Sequence, residues 1–382
     1  MKILKIGNLI TIFKGKKVES FSQIQNEKSL RFIQIDDLRN DESLKYTSSK
    51  GILVKPEDII IAWDGANAGT IGYGLSGIIG STLAKLELQT GDVLPEYLGL
   101  FLKSQSKYLR ERTTGATIPH IGKQALINIE IQIPSLTEQK RIVKLLNQAD
   151  ALRQKRKEAI RLLDEYLKSV FLDMFGDPII NNKGWKMVNL GSLLKNIDSG
   201  WSPKCLDKKA SANKWGVLKL SAVTGCNYIE DQNKELPDTF EPKTNIEVKD
   251  CDLLFSRKNT YELVGASAFI FNTRPKLMLS DLIFRLNIQD TSVIKTEFLW
   301  KLLVHPGIRK NIQSLAGGAA GSMPNISKEK LRNVALPVPP IDLQNKFADI
   351  VLQTEKLKQK MLGQSVELDN QFRALMQRAF KV

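Results

Sequence analysis

LTEQKRIVKLLNQADALRQKRKEAIRLLDEYLKSVFLDMF (Leu136–Phe175) and IDLQNKFADIVLQTEKLKQKMLGQSVELDNQFRALMQRAF (Ile341–Phe380) match each other at one constant spacing. Laid together without a gap, they align Gln139 with Gln344, Ile142 with Phe347, Leu152 with Leu357, Leu163 with Leu368 and Phe175 with Phe380. The same spacing carried backwards pairs Pro134 with Pro339, Leu126 with Leu331, Ile121 with Ile326 and Pro119 with Pro324. Self-similarity of this length signals one structural unit used twice, so it is settled before any local motif is read.

Both segments have a helical period. In the first, Ile142, Ala149, Arg156, Leu163 and Val170 recur every seventh residue, with Leu145, Leu152, Ala159 and Tyr166 three residues behind them. This spacing predicts the seam of a coiled coil. Phe347, Thr354, Met361, Leu368 and Leu375 repeat it in the second. Ser135-Leu-Thr-Glu138 has the form of a capping box, and Gly176-Asp-Pro178 supplies the stop. Pro337, Pro339 and Pro340 keep the approach to the second helix extended. At about 1.5 Å per residue each helix is a rod of roughly 60 Å. Polar Arg156, Thr354, Gln364 and Gln371 within these stripes are expected to set the register between the rods.

Working outward, residues 1–135 read as mixed α/β. β-Branched runs at Arg31–Ile35 and Asp58–Ala62 alternate with the glycine-rich stretch Gly65–Gly80, and Pro95–Arg112 has helical spacing. The plan returns over residues 179–336. Val248-Lys-Asp-Cys-Asp-Leu-Leu-Phe255 parallels Val54-Lys-Pro-Glu-Asp-Ile-Ile-Ile61, Ser280-Asp-Leu282 parallels Ser81-Thr-Leu83, and Glu297-Phe-Leu299 parallels Glu96-Tyr-Leu98. The expected order is therefore a domain (1–135), a helical spacer (136–178), a second similar domain (179–336) and a second helical spacer (337–382). The domains differ most where Lys14–Ser29 faces Ser202–Lys214 and where Asp64–Ile71 faces Lys258–Val264.

The chain of 382 residues carries 56 Lys and Arg against 41 Asp and Glu, a formal charge of +15 that favours an anionic partner. Cys205, Cys226 and Cys251 are odd in number and widely spaced, which indicates neither a disulfide framework nor a metal knuckle and fits a reducing cytoplasm. Lys5, Gly7 and Asn8 interrupt the N-terminal apolar run well short of a signal-peptide core, and no run is long enough to span a membrane.

The search for a catalytic site is negative. The sequence has no phosphate-binding lysine loop, no Gly-x-Gly-x-x-Gly after a strand, no His-Glu-x-x-His and no Gly-x-Ser-x-Gly. The two histidines, His120 and His305, sit beside Pro119 and Pro306 as turn or interface residues. Pro237-Asp-Thr-Phe-Glu-Pro-Lys243 contains the letters of a nuclease motif, with Asp238 and Glu241 as metal ligands. Pro242 and the short spacing argue for a surface turn instead, because the carboxylates of such a site stand on neighbouring strands.

Nucleic-acid binding has positive support. Lys14, Lys16, Lys17, Lys28 and Arg31 cluster in the first domain, and Lys204, Lys208, Lys209, Lys214 and Lys219 at the corresponding place in the second. Both clusters lie where the domains diverge, which suits phosphate anchoring and base reading. Arg257-Lys258-Asn259 follows a buried-looking run, so its side chains emerge at a strand end, and Arg and Asn suit bidentate contacts to guanine and adenine. Its positional counterpart is Trp63-Asp-Gly65, a different chemistry.

Three motifs then carry a family resemblance: Ile61-Ala-Trp-Asp-Gly-Ala-Asn-Ala-Gly-Thr70, Thr114-Gly-Ala-Thr-Ile-Pro-His-Ile121 and Ile131-Gln-Ile-Pro-Ser-Leu-Thr-Glu-Gln139. With the two-fold layout, the chain resembles the specificity subunit of a Type I restriction-modification system. The resemblance implies two α/β (α+β) target-recognition domains, each reading half of a split double-stranded DNA site. It also implies two long antiparallel coiled-coil helices that separate them and carry methyltransferase subunits, two of them, together with a restriction/translocase subunit. Ile142, Leu145, Leu152, Leu163, Tyr166, Phe347, Leu357, Leu368 and Phe372 are then expected at the helix-pair or partner interface. Catalysis, with S-adenosylmethionine, ATP and Mg²⁺, is expected in the partners, with no cofactor, metal or catalytic residue in this chain. The competing readings are a coiled-coil protein scaffold with incidental charge and a stand-alone nuclease.

Overall fold

The computed structural model describes residues 2–39, 43–115, 117–317 and 323–380; Ala116 of the Thr114–Ile121 motif lies outside the described residues. The chain forms two compact units, one of residues 1–159 with 361–382 and the other of residues 160–360. The first long helix, Leu136–Phe175, and the second, Ile341–Phe380, each contribute to both.

In the first unit a four-stranded antiparallel sheet has the order Ile10–Lys14, Leu83–Leu88, Ile59–Ala62, Ile71–Tyr73. The period of two decides what each face meets. Ile59 and Ile61 enter a core shared with the helix Pro95–Ser104, whereas Ile60 and Ala62 enter a second core under a smaller mixed sheet. In that smaller sheet Leu30–Ile33 runs parallel to Gly77–Ile79. Lys2–Lys5 pairs antiparallel with Glu130–Ile133, so the start of the domain is stitched to the strand that feeds the long helix. The helical spacing of Pro95–Arg112 is realised as two helices, Pro95–Ser104 and Ser106–Glu111. At the break the Ser104 hydroxyl donates to the Phe101 carbonyl at 2.6 Å, a local bond that competes with the helix.

The second unit is built the same way. Its large sheet runs Leu194–Ser199, Ile283–Ile288, Leu253–Ser256, Ser267–Phe269, and Lys186–Asn189 pairs with Ala335–Val338. Leu253 and Phe255 face one core and Leu254 the other, as on the matching strand of the first unit. The likeness extends to single bonds. The Asp58 carboxylate accepts the Lys55 N–H at 2.9 Å, and Asp252 accepts that of Lys249 at 2.9 Å. One alignment shifts by a residue. The Leu83 N–H donates to Gly80 and the Ile283 N–H to Ser280, so Ser280–Leu282 corresponds to Gly80–Thr82, not to Ser81–Leu83. A serine present in both stretches had favoured the wrong register.

The aligned glutamines are matched latches, each with no exposed surface. The Gln139 amide oxygen accepts the Leu94 N–H at 2.8 Å, and its amide nitrogen donates to the carbonyls of Asp92 at 2.8 Å and Pro134 at 3.0 Å. Gln344 accepts from Lys295 at 2.9 Å and donates to Val293 at 3.1 Å and Pro339 at 2.8 Å. Leu94 and Lys295 cap the helices Pro95–Ser104 and Thr296–Val304, which have no side-chain caps of their own. Each glutamine thus ties a long helix to the domain beside it. Gln139→Leu and Gln344→Leu are each expected to cost about 1–2 kcal/mol in urea unfolding, since a buried amide loses three hydrogen bonds to backbone groups that are for the most part half-buried.

Within each unit the long helices pack antiparallel, but the seam differs from the expected one. In the second unit Phe347 meets Phe171 and Phe175, with ring centroids 5.6 and 5.2 Å away, while Lys358 pairs with Asp164. In the first, Arg153 pairs with Asp369 at 2.6 Å and lies over the Phe372 ring at 4.3 Å, and Leu146, Met376 and Phe380 are buried. The stripe from Ile142 therefore advances by four and then three residues, through Leu146, Ala149, Arg153, Arg156, Ile160, Leu163 and Leu167. Leu145, Leu152 and Tyr166 stay 47%, 56% and 50% exposed, and Leu357 48%. Apolar doublets such as Leu145-Leu146 and Tyr166-Leu167 satisfy either seam. The choice falls to Arg153 over Leu152, and to Lys358 over Leu357, because each cation finds a carboxylate across the pair. These two ion pairs occupy equivalent positions in the repeat and serve the register role expected of Gln364 and Gln371, which are exposed; Thr354 is buried.

Candidate nucleic-acid interface

In each unit the strand of the large sheet that faces both cores ends in a loop clamped by a downstream segment. In the first, the Ile121 N–H donates to Trp63 at 2.9 Å and the Gly65 N–H to Pro119 at 2.8 Å, making a bridge between Asp64 and His120. In the second, the Ile326 N–H donates to Arg257 at 2.8 Å and the Asn259 N–H to Pro324 at 3.2 Å, bridging Lys258 and Asn325. The backbone is the same and the side chains are not. Nearby, Gly15 and Gly200 admit the variable loops past the sheet, since an added Cβ would lie 2.1 Å from the Gly80 carbonyl oxygen and 2.2 Å from that of Leu279.

The first clamp carries Lys14, whose ammonium is 3.3 Å from the Asp64 carboxylate and 5.8 Å from the centre of the Trp63 ring. His120 contacts the Thr114 hydroxyl through Nε2 at 2.7 Å, so this exposed histidine belongs to the same surface. The expectation of a turn or interface role for His120 did not place it on this loop surface. The available signal was its alignment with Asn325 through Pro119 and Pro324.

The second clamp carries Arg257, whose Nε donates to Asn325 Oδ1 at 3.1 Å and whose guanidinium carbon lies 5.0 Å from the centre of the Phe284 ring. Asn259 is corrected by the structure: it is 6% exposed, and its side-chain oxygen accepts the Thr260 N–H at 2.8 Å, so it shapes the loop. Arg31 is likewise committed inward, 3.0 Å from the buried Asp37 carboxylate.

The expected lysines divide into two groups. Lys208 pairs with Glu235 at 3.0 Å, Lys214 with Asp238 at 2.7 Å and Lys209 with Asp231. The Asp238 hydrogen bond and charge raise the Lys214 pKa. Lys209–Asp231 and Lys214–Asp238 are exposed on both sides and screened by water, so a phosphate can displace their carboxylates, whereas Glu235 is buried. Lys16, Lys17, Lys28, Lys204, Lys219 and Lys258 form no ion pair among the described residues. Asp238 stands in a turn and Glu241 just after it, neither on a strand, and the described residues contain no group of three or more His, Cys, Asp or Glu able to hold a metal ion. No helix among them is long and apolar enough to cross a membrane.

The family model for the Type I restriction modification DNA specificity domain matches residues 1–162 and again 182–367. The specificity subunit of the Type I restriction enzyme MjaVIII from Methanocaldococcus jannaschii is 26% identical over 371 residues, 93% of this chain and 86% of that protein. That of EcoEI from Escherichia coli is 36% identical over 171 residues, 44% of this chain and 28% of that one. The crystal structure of the Type I restriction-modification S subunit from M. genitalium superposes with a TM-score of 0.61 at 16% identity, over 99% of this chain and 96% of that chain, a likeness of fold. With two copies of one domain, two clamped loops and two matched helices, the chain belongs to the Type I restriction modification DNA specificity family.

Proposed function

We propose that this chain reads a bipartite, asymmetric DNA sequence and brings to it the catalytic subunits of a Type I restriction-modification enzyme. The observation that carries the reading is the pair of clamps: one backbone arrangement presents Lys14, Asp64 and His120 in one unit and Arg257, Lys258 and Asn325 in the other. Equivalent scaffolds with unlike donors and acceptors suit two unlike half-sites. The unpaired lysines of both loops anchor phosphates and fix the orientation on the duplex. The Leu145, Leu152, Tyr166 and Leu357 side chains left outside the helix seam offer apolar contact to methyltransferase subunits, two by the symmetry of the repeat. Those partners supply the methyl-transfer chemistry with S-adenosylmethionine, and a translocase subunit supplies ATP- and Mg²⁺-dependent cleavage. This chain contributes recognition and assembly.

Expressing the chain with its neighbouring methyltransferase subunit and mapping methylated sites tests the reading. The expected result is two different half-sequences with a fixed gap; one continuous motif, or none, refutes it. A protein scaffold with incidental charge predicts no steep loss of DNA affinity between about 50 and 200 mM salt, whereas several phosphate contacts require one.

A further inference from the structure

We propose that Arg257 reads a guanine in the half-site bound by the second unit, an inference that rests on the DNA-recognition reading above. Four observations converge on this side chain. Its backbone is pinned on both sides, the N–H donating to Leu282 at 3.0 Å and the carbonyl accepting from Ile326 at 2.8 Å, directly after the fully buried strand Leu253–Ser256. Its Nε is taken by Asn325 Oδ1. Its guanidinium lies over Phe284, which is 1% exposed and stacks on Phe255 with centroids 6.5 Å apart, so the platform beneath it cannot move freely. The two terminal nitrogens make no hydrogen bond or ion pair to any described residue, and neither is among the buried atoms that lack a partner.

A guanidinium held in this way has fixed its plane and spent only its inner donor. The two Nη groups remain as a parallel fork whose geometry matches the N7 and O6 acceptors of guanine in the major groove. A phosphate contact needs charge and reach and gains little from a preset plane. Base-edge reading requires that plane, and here two neighbours, Asn325 and Phe284, set it. Unlike Lys208, Lys209 and Lys214, Arg257 has no carboxylate partner among the described residues. In the first unit the equivalent positions hold Trp63, His120 and Ala84, which offer no such fork, so the guanine requirement belongs to one half-site only.

The test uses the full chain co-expressed with its methyltransferase subunit. The unaltered complex is expected to require guanine at one position of one half-site. Arg257→Ala is expected to tolerate other bases there, discrimination falling roughly 5- to 150-fold, with the other half-site and the gap unchanged. Asn325→Ala is expected to lower discrimination at the same position by a smaller factor, since it orients the fork without touching the base. Binding of the unaltered complex to oligonucleotides carrying 7-deazaguanine, which lacks N7, needs no variant and is expected to weaken at that guanine, a loss that Arg257→Ala does not show. The proposal is overturned by uniform weakening of Arg257→Ala across sequences with a shallower salt dependence, by no change at any position, or by half-sites without an N7-dependent guanine. Absence of any bipartite motif for the unaltered complex would instead refute the function reading beneath it.

Discussion

Arg285→Ala is expected to destabilise the second unit by roughly 2–4 kcal/mol, the cost of leaving two half-buried carboxylates and two backbone carbonyls without their cation. Arg285 is 9% exposed. Its Nε and Nη2 donate to Asp198 at 2.9 and 2.8 Å, Nη1 to Asp252 at 3.1 Å and to the Glu247 carbonyl at 2.8 Å, and Nη2 to the Asn245 carbonyl at 3.0 Å. One planar group thus joins strands Leu194–Ser199 and Ile283–Ile288 to the segment before Leu253. The first unit uses Lys85 at the matching place, 3.8 Å from Asp58 and 2.7 Å from Glu87, so Arg285→Lys is expected to recover part of the loss, lacking the fork that reaches both acids at once. Urea unfolding and hydrogen exchange of Leu253–Ser256 measure both variants.

The pH dependence of that loss follows from the two acids. Burial opposes ionisation of Asp198, but hydrogen bonds from Asn287 and Arg285 and the Arg285 charge outweigh it and hold the carboxyl below the usual range. Its contribution is present above the unfolded carboxylate pKa and is lost as pH falls through the lower folded value. Burial pushes Asp252 up despite the Lys249 N–H and Arg285, so its contribution has the opposite sign: present below the unfolded pKa, lost as pH rises through the higher folded value. Without Arg285 both carboxyls move upward and bind protons more readily in the folded state. The deficit of Arg285→Ala is therefore expected to be smaller near pH 4, about the ordinary aspartate value, than at pH 7. A deficit independent of pH would mean that lost packing, not lost charge, dominates.

Deleting one heptad from each long helix, residues 155–161 and 360–366, is expected to abolish methylation at the native gap. These segments lie between the register pairs, so Arg153–Asp369 and Lys358–Asp164 keep their partners. Seven residues shorten a helix by about 10 Å, the length of about 3 bp. Activity of the shortened chain is expected, if it returns, at a gap smaller by about that amount and with both half-sequences intact. Recovery of the original gap in the methylation map would show that the helices do not set it.

The duplication, the two long helices, the pairing of Gln139 with Gln344 and the mixed α/β class of both domains are all written in the order of residues along the chain. These were legible because each depends on local chemistry repeated at one spacing: helical period, capping residues, and β-branched strands ended by turns. The sequence also pointed to the strand-end loops, where Trp63 and Arg257 stand after matching buried runs. What it left open needed contacts between residues distant along the chain. Arg153 was chosen over Leu152 because Asp369 stands opposite it, a pairing invisible to any hydrophobic period. Asn259 was turned into its own loop while Arg257 was fixed by Asn325 and Phe284, residues that no local motif joins to it. The helices could be read because apolar burial is periodic along a chain. Which polar side chains the strand-end loops leave free for a partner was decided only in three dimensions, because a polar group's role is set by the partner that reaches it first.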